Sequence, residues 1–498
     1  MPTHRDFYTI LGLPHDATVE EIRRAYHFAA LRLHPDTNHS NLSSEPFLKI
    51  QEAYEVLNDP KRRRDYDDSL GEAVSPSTAP SPVVCDILMS RKALQRMAEP
   101  QWVYALANLE ANPAYLKQIH AARPALNICL ALDRSTSMKG ERMDTVKAAA
   151  TTLIRQLRPD DVLSVITFAD RAEAVVPATR KAEIESAINQ VHMIRTGGGT
   201  EIIHGLEAAV FEVRKHLKVT GTSHIVLLTD GRTYGDEPEC LQLAEEAATQ
   251  GIGISVLGIG NEWNDNFLDE LATATGGSSQ YIAGSADILP FIQEKYSRLD
   301  NVFADQVRLS LTPMPGVELR GVFRVIPEPA PLATGDTLLF GSLPGTSVLT
   351  VLLEFAVSPT VDNMNRVLLA NGNFSIHIPS SAEGMYDYPL CLTLPMQSTP
   401  PQEDVPDKLV QAVEQATLIR MQERAQSELD SGMVEKARNR LTHLEERLRA
   451  QGHQQLARTV QLEVEQIKNT RNLSADGKKR LKYGTRALLM PPQTPGEE

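Results

Sequence analysis

Five side chains with oxygen ligand atoms lie in three loops in the middle of the chain, two of them after predicted strands and one before a predicted helix. They are the carboxylates of Asp133 and Asp230 and the hydroxyls of Ser135, Ser137 and Thr200. The first aspartate and the two serines form the pattern Asp-Arg-Ser-Thr-Ser after one strand, Thr200 follows three glycines, and Asp230 follows another strand. Hard cations such as Mg²⁺ prefer such oxygen ligands. The pattern therefore predicts a Mg²⁺ site, with Mn²⁺ or Ca²⁺ as alternatives.

Each of these motifs also has a simpler explanation in local structure. Asp133, Ser135 and Ser137 could cap a helix, and the glycines at 197–199 could form a turn. Three such motifs in order, each after a strand or before a helix, favour the metal site. The enzymatic alternative is a Mg²⁺-dependent hydrolase acting at Asp133 and Asp230. The sequence offers no second acidic cluster or histidine partner for that chemistry, so we expect no enzymatic activity.

Strands and helices alternate in the region that carries these motifs. The strand candidates are residues 126–132, 162–168, 224–229, 252–257 and 280–282. This alternation predicts a doubly wound α/β domain with a mainly parallel, Rossmann-like sheet. Ligands of such sheets bind at the carboxyl ends of the strands, so the polar loops are expected to meet there.

On these motifs, the region resembles the von Willebrand factor A (vWA) domain. Its metal-ion-dependent adhesion site, or MIDAS, has the form DxSxS, Thr, Asp, and all five positions match. The resemblance implies that Ser135 and Ser137 bind the cation directly and that Thr200 binds directly or through water. It also implies that Asp133 and Asp230 hold the cation mostly through water, and that a protein partner donates a carboxylate to an open position.

A second group of polar residues lies near the N-terminus. Thr18 and Glu21 have the spacing of a capping box, which predicts a helix that Pro35 ends. One face of this helix is basic and carries Arg23, Arg24 and Arg32. A second helix is predicted over residues 47–57, so the two would form an antiparallel hairpin.

Residues 5–70 resemble the J-domain of DnaJ-like co-chaperones. The resemblance rests on Asp6-Phe7-Tyr8, on His34-Pro35-Asp36 and on Ala53-Tyr54-Glu55-Val56-Leu57 before Asp59-Pro60. It implies docking onto a DnaK-type heat-shock chaperone, with His34, Pro35 and Asp36 needed to stimulate its ATPase. The basic helix face would meet an acidic patch of that chaperone. Taken alone, the tripeptide could also be an ordinary helix stop.

The rest of the chain divides by composition. Apolar runs at 83–122 and 299–398 predict two parts of one antiparallel β-sandwich, because two early strands cannot form a stable sheet alone. Two separate small units are the alternative. The predicted segments are 1–72 J-domain, 73–82 Ser/Pro-rich linker, 83–122 and 299–398 β-sandwich, 123–298 vWA domain, 403–488 α-helical bundle and 489–498 disordered tail.

The charge and the apolar pattern narrow the classes of partner. A net charge of −14 argues against nucleic acid, and the basic cluster at 478–486 is interpreted as a solvated helix end. No signal peptide and no long apolar run is found, so we expect a cytoplasmic protein without a membrane partner. The sequence thus predicts a J-domain adaptor that binds a protein through a metal. A scaffold for an ATPase-containing complex is the remaining alternative.

Overall fold

Four helices form the N-terminal region of the computed structural model. They are α1 (Phe7–Leu11), α2 (Val19–Leu33), α3 (Glu45–Leu57) and α4 (Pro60–Ala73). The structure describes residues 7–11, 13, 17–33, 45–73, 80–118, 124–180, 184–217, 221–231, 233, 235–314, 316–359, 366–381, 383–399 and 404–488. Helices α2 and α3 were predicted, whereas α4 was not. Its Pro60 was expected only to end α3, but proline is well accommodated in the first turn of a new helix.

Three strands and a short helix come before the central domain. They are β1 (Val83–Met89), β2 (Leu94–Gln95), β3 (Gln101–Ala111) and α5 (Pro113–Gln118). Strands β1 and β3 pair in antiparallel fashion from Val83 opposite Ala111 to Met89 opposite Ala105. Most of β3 is buried, so this hairpin needs a partner for its apolar face.

The central domain is a six-stranded sheet covered by helices. Its elements are β4 (Leu126–Asp133), α6 (Glu141–Gln156), β5 (Val162–Phe168), β6 (Ala172–Arg180), α7 (Ile184–His192), α8 (Ile202–Arg214), β7 (Thr222–Thr229), α9 (Glu237–Thr249), β8 (Ile252–Ile259), α10 (Asp265–Thr273), β9 (Ser279–Ile282) and α11 (Ile288–Asp300). The strand order is β6-β5-β4-β7-β8-β9, and all neighbours are parallel except β6 and β5. The predicted mainly parallel sheet is therefore confirmed.

Seven further strands return to complete the β-sandwich. They are β10 (Val302–Pro313), β11 (Val317–Ile326), β12 (Ala330–Leu332), β13 (Thr337–Pro344), β14 (Leu349–Val357), β15 (Arg366–His377) and β16 (Met385–Gln397). The two sheets have the orders β1-β3-β14-β11-β12 and β13-β10-β15-β16-β2. Leu106 of β3 lies opposite Leu352 of β14. This pairing confirms one sandwich with the central domain inserted, rather than two small units.

Four helices form the C-terminal bundle. They are α12 (Asp407–Asp430), α13 (Val434–Ala450), α14 (Gln454–Thr470) and α15 (Ala475–Ala487). Helix α12 packs on the sandwich, where Leu409 and Ile419 join a core with Leu106 and Leu352. None of the helices in the described ranges combines the length and apolar character needed to cross a membrane.

Helix α15 docks on the central domain through basic side chains that the structure buries. Lys482 Nζ lies 2.7 Å from Asp265 Oδ2 and 2.8 Å from Asp269 Oδ2, and Arg486 NH1 lies 2.8 Å from Asp269 Oδ2. Lys479 Nζ lies 3.8 Å from the centre of the Trp263 ring. The interpretation of this cluster as a solvated helix end was wrong, because its acidic partners lie more than two hundred residues earlier in the sequence.

The charges at this contact link its stability to pH. Burial acts to raise the pKa of Asp269, but the positive charges of Arg486 and Lys482 outweigh it and hold that pKa below its ordinary value. A carboxyl with a lowered folded-state pKa stabilises the fold above its unfolded-state pKa. That contribution is lost as the pH falls through the folded-state value.

We predict that Asp269→Asn destabilises the contact between α15 and the central domain by about 3 kcal/mol at pH 7, because buried Arg486 loses its carboxylate partner and buried Lys482 keeps only Asp265. The difference from the parent should shrink as the pH falls below the ordinary pKa of an aspartate and through the lowered folded-state pKa of Asp269. Urea unfolding followed by the fluorescence of Trp263, in a Trp102→Phe background, measures both effects. Glu435→Gln, which alters an exposed ion pair, is the control. Equal urea midpoints for Asp269→Asn and its parent at pH 7 would contradict the prediction.

Candidate metal centre

The candidate metal centre lies where two adjacent parallel strands end. Leu132 of β4 pairs with Leu228 of β7, so Asp133 and Thr229 reach the same edge of the sheet. The Thr229 hydroxyl donates a hydrogen bond of 2.7 Å to Asp133 Oδ2, and the Ser135 N–H donates one of 2.8 Å to Asp133 Oδ1. Asp133 is completely buried. Both of its oxygens are therefore held in place.

The buried position of Asp133 affects its charge. Burial raises the pKa of Asp133, and the hydrogen bonds from Thr229 and Ser135 act against that rise. Among the described residues, no Lys, Arg or His forms a salt bridge with it. A buried carboxylate is costly without a counter-charge, so a cation at this edge would favour its ionised form.

Two serine hydroxyls lie beside this carboxylate. Ser135 Oγ and Ser137 Oγ are 3.0 Å apart, and Ser137 Oγ donates a hydrogen bond of 2.7 Å to Asp230 Oδ1. Neighbouring ligands of an octahedral Mg²⁺ ion are separated by about 3.0 Å, given metal–oxygen distances near 2.1 Å. The spacing of the two hydroxyls fits such an ion. Ser137 is exposed, so this side of the centre is open to solvent.

The glycine loop brings Thr200 to the same edge. The Gly197 N–H donates to the Arg134 carbonyl at 2.7 Å, and the Thr136 hydroxyl donates to the Gly198 carbonyl at 3.1 Å. Gly198 has a φ of +91°, which favours glycine. A side-chain carbon built on Gly231 would lie 2.7 Å from Thr200 Oγ1. The Thr200 hydroxyl therefore lies against the backbone directly after Asp230.

Three supporting aspartate and threonine side chains were not anticipated from the sequence. Asp170 Oδ1 accepts a 2.8 Å hydrogen bond from the Gly199 N–H, and Asp236 Oδ2 accepts one of 2.9 Å from the Ile203 N–H in the first turn of α8. Thr229, which holds Asp133, precedes Asp230 in the sequence. Its position before the motif aspartate was a usable signal, whereas Asp170 and Asp236 belong to no motif.

An arginine also enters the centre. Arg142, in the first turn of α6, places NH1 2.5 Å from Asp230 Oδ2, and its side chain is 41% exposed. No pattern in the sequence singles it out. Within the described residues, no group of three His, Cys, Asp or Glu side chains could hold a metal ion, so an ion at this edge would depend on hydroxyl ligands.

The predicted chaperone-docking residues are only partly described. Arg23 on α2 is exposed, and its Nε donates a 3.0 Å hydrogen bond to Asn58 Oδ1. The side chains of Arg24 and Arg32, and the whole of His34, Pro35 and Asp36, lie outside the described residues. Their role in docking stays a prediction.

Three parts of the chain match models of known protein families. Residues 6–67 match the DnaJ domain, residues 127–295 match the von Willebrand factor type A domain, and residues 407–491 match the Sll0103-like, C-terminal alpha-helical domain. These matches agree with the N-terminal helices, the inserted α/β domain and the C-terminal bundle.

Individual relatives resemble different parts of the chain. Uncharacterized protein sll0103 of Synechocystis sp. is 28% identical over 391 residues, which is 76% of this chain and 91% of that protein. Chaperone protein DnaJ 2 of Thermus thermophilus is 52% identical over 67 residues, which is 14% of this chain and 24% of that protein. The likeness to DnaJ proteins is thus confined to one module.

Two solved structures share the larger fold. A von Willebrand factor type A protein from Catenulispora acidiphila has a TM-score of 0.66 at 17% identity, and the ArnB paralog VWA2 from Sulfolobus acidocaldarius has 0.51 at 15%. Each match covers 82% of this chain and 98% of the other. At these identities the matches show a common fold.

We predict that Gly231→Ala destabilises the protein by about 1–3 kcal/mol, because the new methyl group would collide with the Thr200 side chain. Thr200→Ala removes two of the three atoms that the methyl group would meet. In a double-mutant cycle measured by urea unfolding, the double variant should therefore be less destabilised than the sum of the single variants by about 1 kcal/mol. Strict additivity would mean that Thr200 does not lie where the structure places it.

Proposed function

Because this chain joins a DnaJ domain to a von Willebrand factor type A domain, we propose that it is a co-chaperone adaptor with a metal-dependent capture site. In this proposal the DnaJ domain stimulates the ATPase of a DnaK-type chaperone. The A domain binds a protein partner that donates a carboxylate. Both kinds of domain are generally binding modules, which favours an adaptor over a Mg²⁺-dependent hydrolase.

The observation that carries the metal half of the proposal is the hydrogen-bond network at the ends of β4 and β7. Ser137 donates its hydrogen to Asp230, so its oxygen can use its lone pairs to accept from Ser135 or to bind a cation. Asp133 is likewise oriented by Thr229 and by the Ser135 N–H. Asp230 thus orients the Ser137 hydroxyl, and of the two serines Ser137 is the exposed one.

Neutral hydroxyl ligands suit a site that must attract an acidic partner. When bound, Mg²⁺ would supply a coordination position that a carboxylate from outside can fill. Ser135, Ser137 and Thr200 would contribute no charge, so they would leave more of the cation's charge for that carboxylate. Exposure of Ser137 on this edge gives the partner a route of approach.

The DnaJ domain and the A domain belong to one chain, and this covalent connection explains how they would act together. A protein held at the A domain stays within reach of a chaperone recruited by the DnaJ domain of the same chain. Tethering of this kind raises the effective concentration of one partner near the other without any new contact. The adaptor would in this way direct the chaperone to a particular class of protein.

We predict that His34→Gln abolishes stimulation of the DnaK ATPase and leaves metal binding unchanged, because the two sites use separate residues. Single-turnover ATP hydrolysis by DnaK, with and without the full chain, measures the stimulation. Asp65→Asn, a change of an exposed residue on α4, serves as the matched control for a substitution in the same domain. Stimulation that survives His34→Gln would refute the docking half of the proposal.

We predict that Ser137→Ala weakens Mn²⁺ or Mg²⁺ binding by about tenfold or more, since one ligand is lost while the buried Asp133–Thr229 bond remains. Asp133→Ala should remove binding altogether. Isothermal titration calorimetry measures both, and Thr152→Ala, which removes a hydroxyl on α6, is the control. The proposed contact between the metal and a partner's carboxylate would be disproved if Asp133→Ala still bound the metal and still recovered every partner in a Mg²⁺-dependent pull-down.

A further inference from the structure

Arg142 forms an ion pair with one of the two carboxylate oxygens of Asp230, a residue of the proposed metal site. Its NH1 lies 2.5 Å from Asp230 Oδ2, while the Ser137 hydroxyl holds Asp230 Oδ1 at 2.7 Å. The Asp230 side chain is completely buried, so the guanidinium is the cation that compensates its charge. Hydrogen bonds between such charged groups are stronger than neutral ones.

The position of Arg142 is also limited from the opposite side. The turn after β8 contains Gly260, and a side-chain carbon there would lie 3.0 Å from Arg142 NH2. Trp263 fixes this turn, because its Nε1–H donates a 2.7 Å hydrogen bond to the Gly260 carbonyl. Lys479 of α15 in turn donates a 2.8 Å hydrogen bond to the Trp263 carbonyl. The arginine is thus confined between Asp230 and a turn that the C-terminal helix supports.

We propose that Arg142 regulates the metal site by competing with the cation for Asp230 and thereby lowers its affinity for the metal. The inference rests on the proposed function, because it assumes that Asp133, Ser135, Ser137, Thr200 and Asp230 can hold a divalent ion. Arg142 lies outside the metal-binding motif, and its new role is to set the affinity of the site for the metal.

The charges at the site explain the expected direction. A divalent cation with two ionised carboxylates is formally neutral, and Arg142 makes the same site formally +1. Two positive charges that share Asp230 repel each other at close range, and the 41% exposure of the Arg142 side chain leaves this repulsion partly open to screening by salt. Metal binding is weakened, while a carboxylate arriving from a partner is attracted by the excess charge. Metal and partner would therefore bind better together than either would alone.

Titration of the full-length protein with Mn²⁺ by isothermal calorimetry tests this directly. Arg142→Gln should bind Mn²⁺ roughly three- to thirtyfold more tightly than the parent, as expected for removal of one nearby positive charge. Arg142→Lys keeps the charge and should stay close to the parent. Arg155→Gln removes the same charge from α6 about 20 Å further along the helix and should have no effect.

A change of salt concentration distinguishes an effect of the charge of Arg142 from an effect of its shape. The ratio between the parent and Arg142→Gln should fall when the ionic strength is raised from about 0.1 M to 1 M, because the screening length falls from about 10 Å to 3 Å. Equal or weaker binding by Arg142→Gln, or tightening equally large in Arg142→Lys, would overturn the inference. Absence of Mn²⁺ binding by both the parent and Arg142→Gln would instead overturn the proposed function, and the inference with it. Binding by Arg142→Gln alone would support both.

Discussion

The hydrogen bond between Thr229 and Asp133 joins the two central strands at the edge where the candidate site forms. It exists because β4 and β7 are adjacent, parallel and in register, so that Leu132 lies opposite Leu228. A shift of one residue in this register would turn the two side chains to opposite faces of the sheet. The positions of Ser135, Ser137 and Asp230 follow from this pairing. The sheet therefore positions Asp133 and Asp230, while the glycine loop brings Thr200 to the same edge.

The β-sandwich and the C-terminal bundle both support the domain that contains this sheet. The sandwich is closed by strands from both sides of the inserted domain, with β3 lying beside β14. The C-terminal bundle contacts both units, through the ion pair of Arg420 with Glu354 on the sandwich and through Lys482 with Asp265 on the central domain. Removal of one partner from a buried ion pair is strongly destabilising. The bundle thus connects the sandwich and the central domain through these ion pairs.

Much of the fold could be predicted because its signals are local. The apolar runs of the central strands and the turn-separated runs of the sandwich could be recognised directly in the sequence. Four of the five motif residues end or follow the strands expected to carry them, and Thr200 lies in the glycine loop before α8. The edge strand β6 (Ala172–Arg180) was missed because its exposed positions give it little apolar pattern. Arg142 and Lys482 were missed for another reason. Their partners, Asp230 and Asp265, are close only in three dimensions, so no spacing in the sequence could reveal a competing or a buried charge.

Diffraction from crystals grown with Mn²⁺ shows whether the motif residues hold a metal ion, because anomalous scattering locates the ion without reference to its ligands. We expect one strong anomalous peak within bonding distance of Ser135 Oγ and Ser137 Oγ, at the carboxyl ends of β4 and β7. A well-ordered centre with no anomalous peak there, in crystals that show Mn²⁺ elsewhere on the protein, would contradict this expectation.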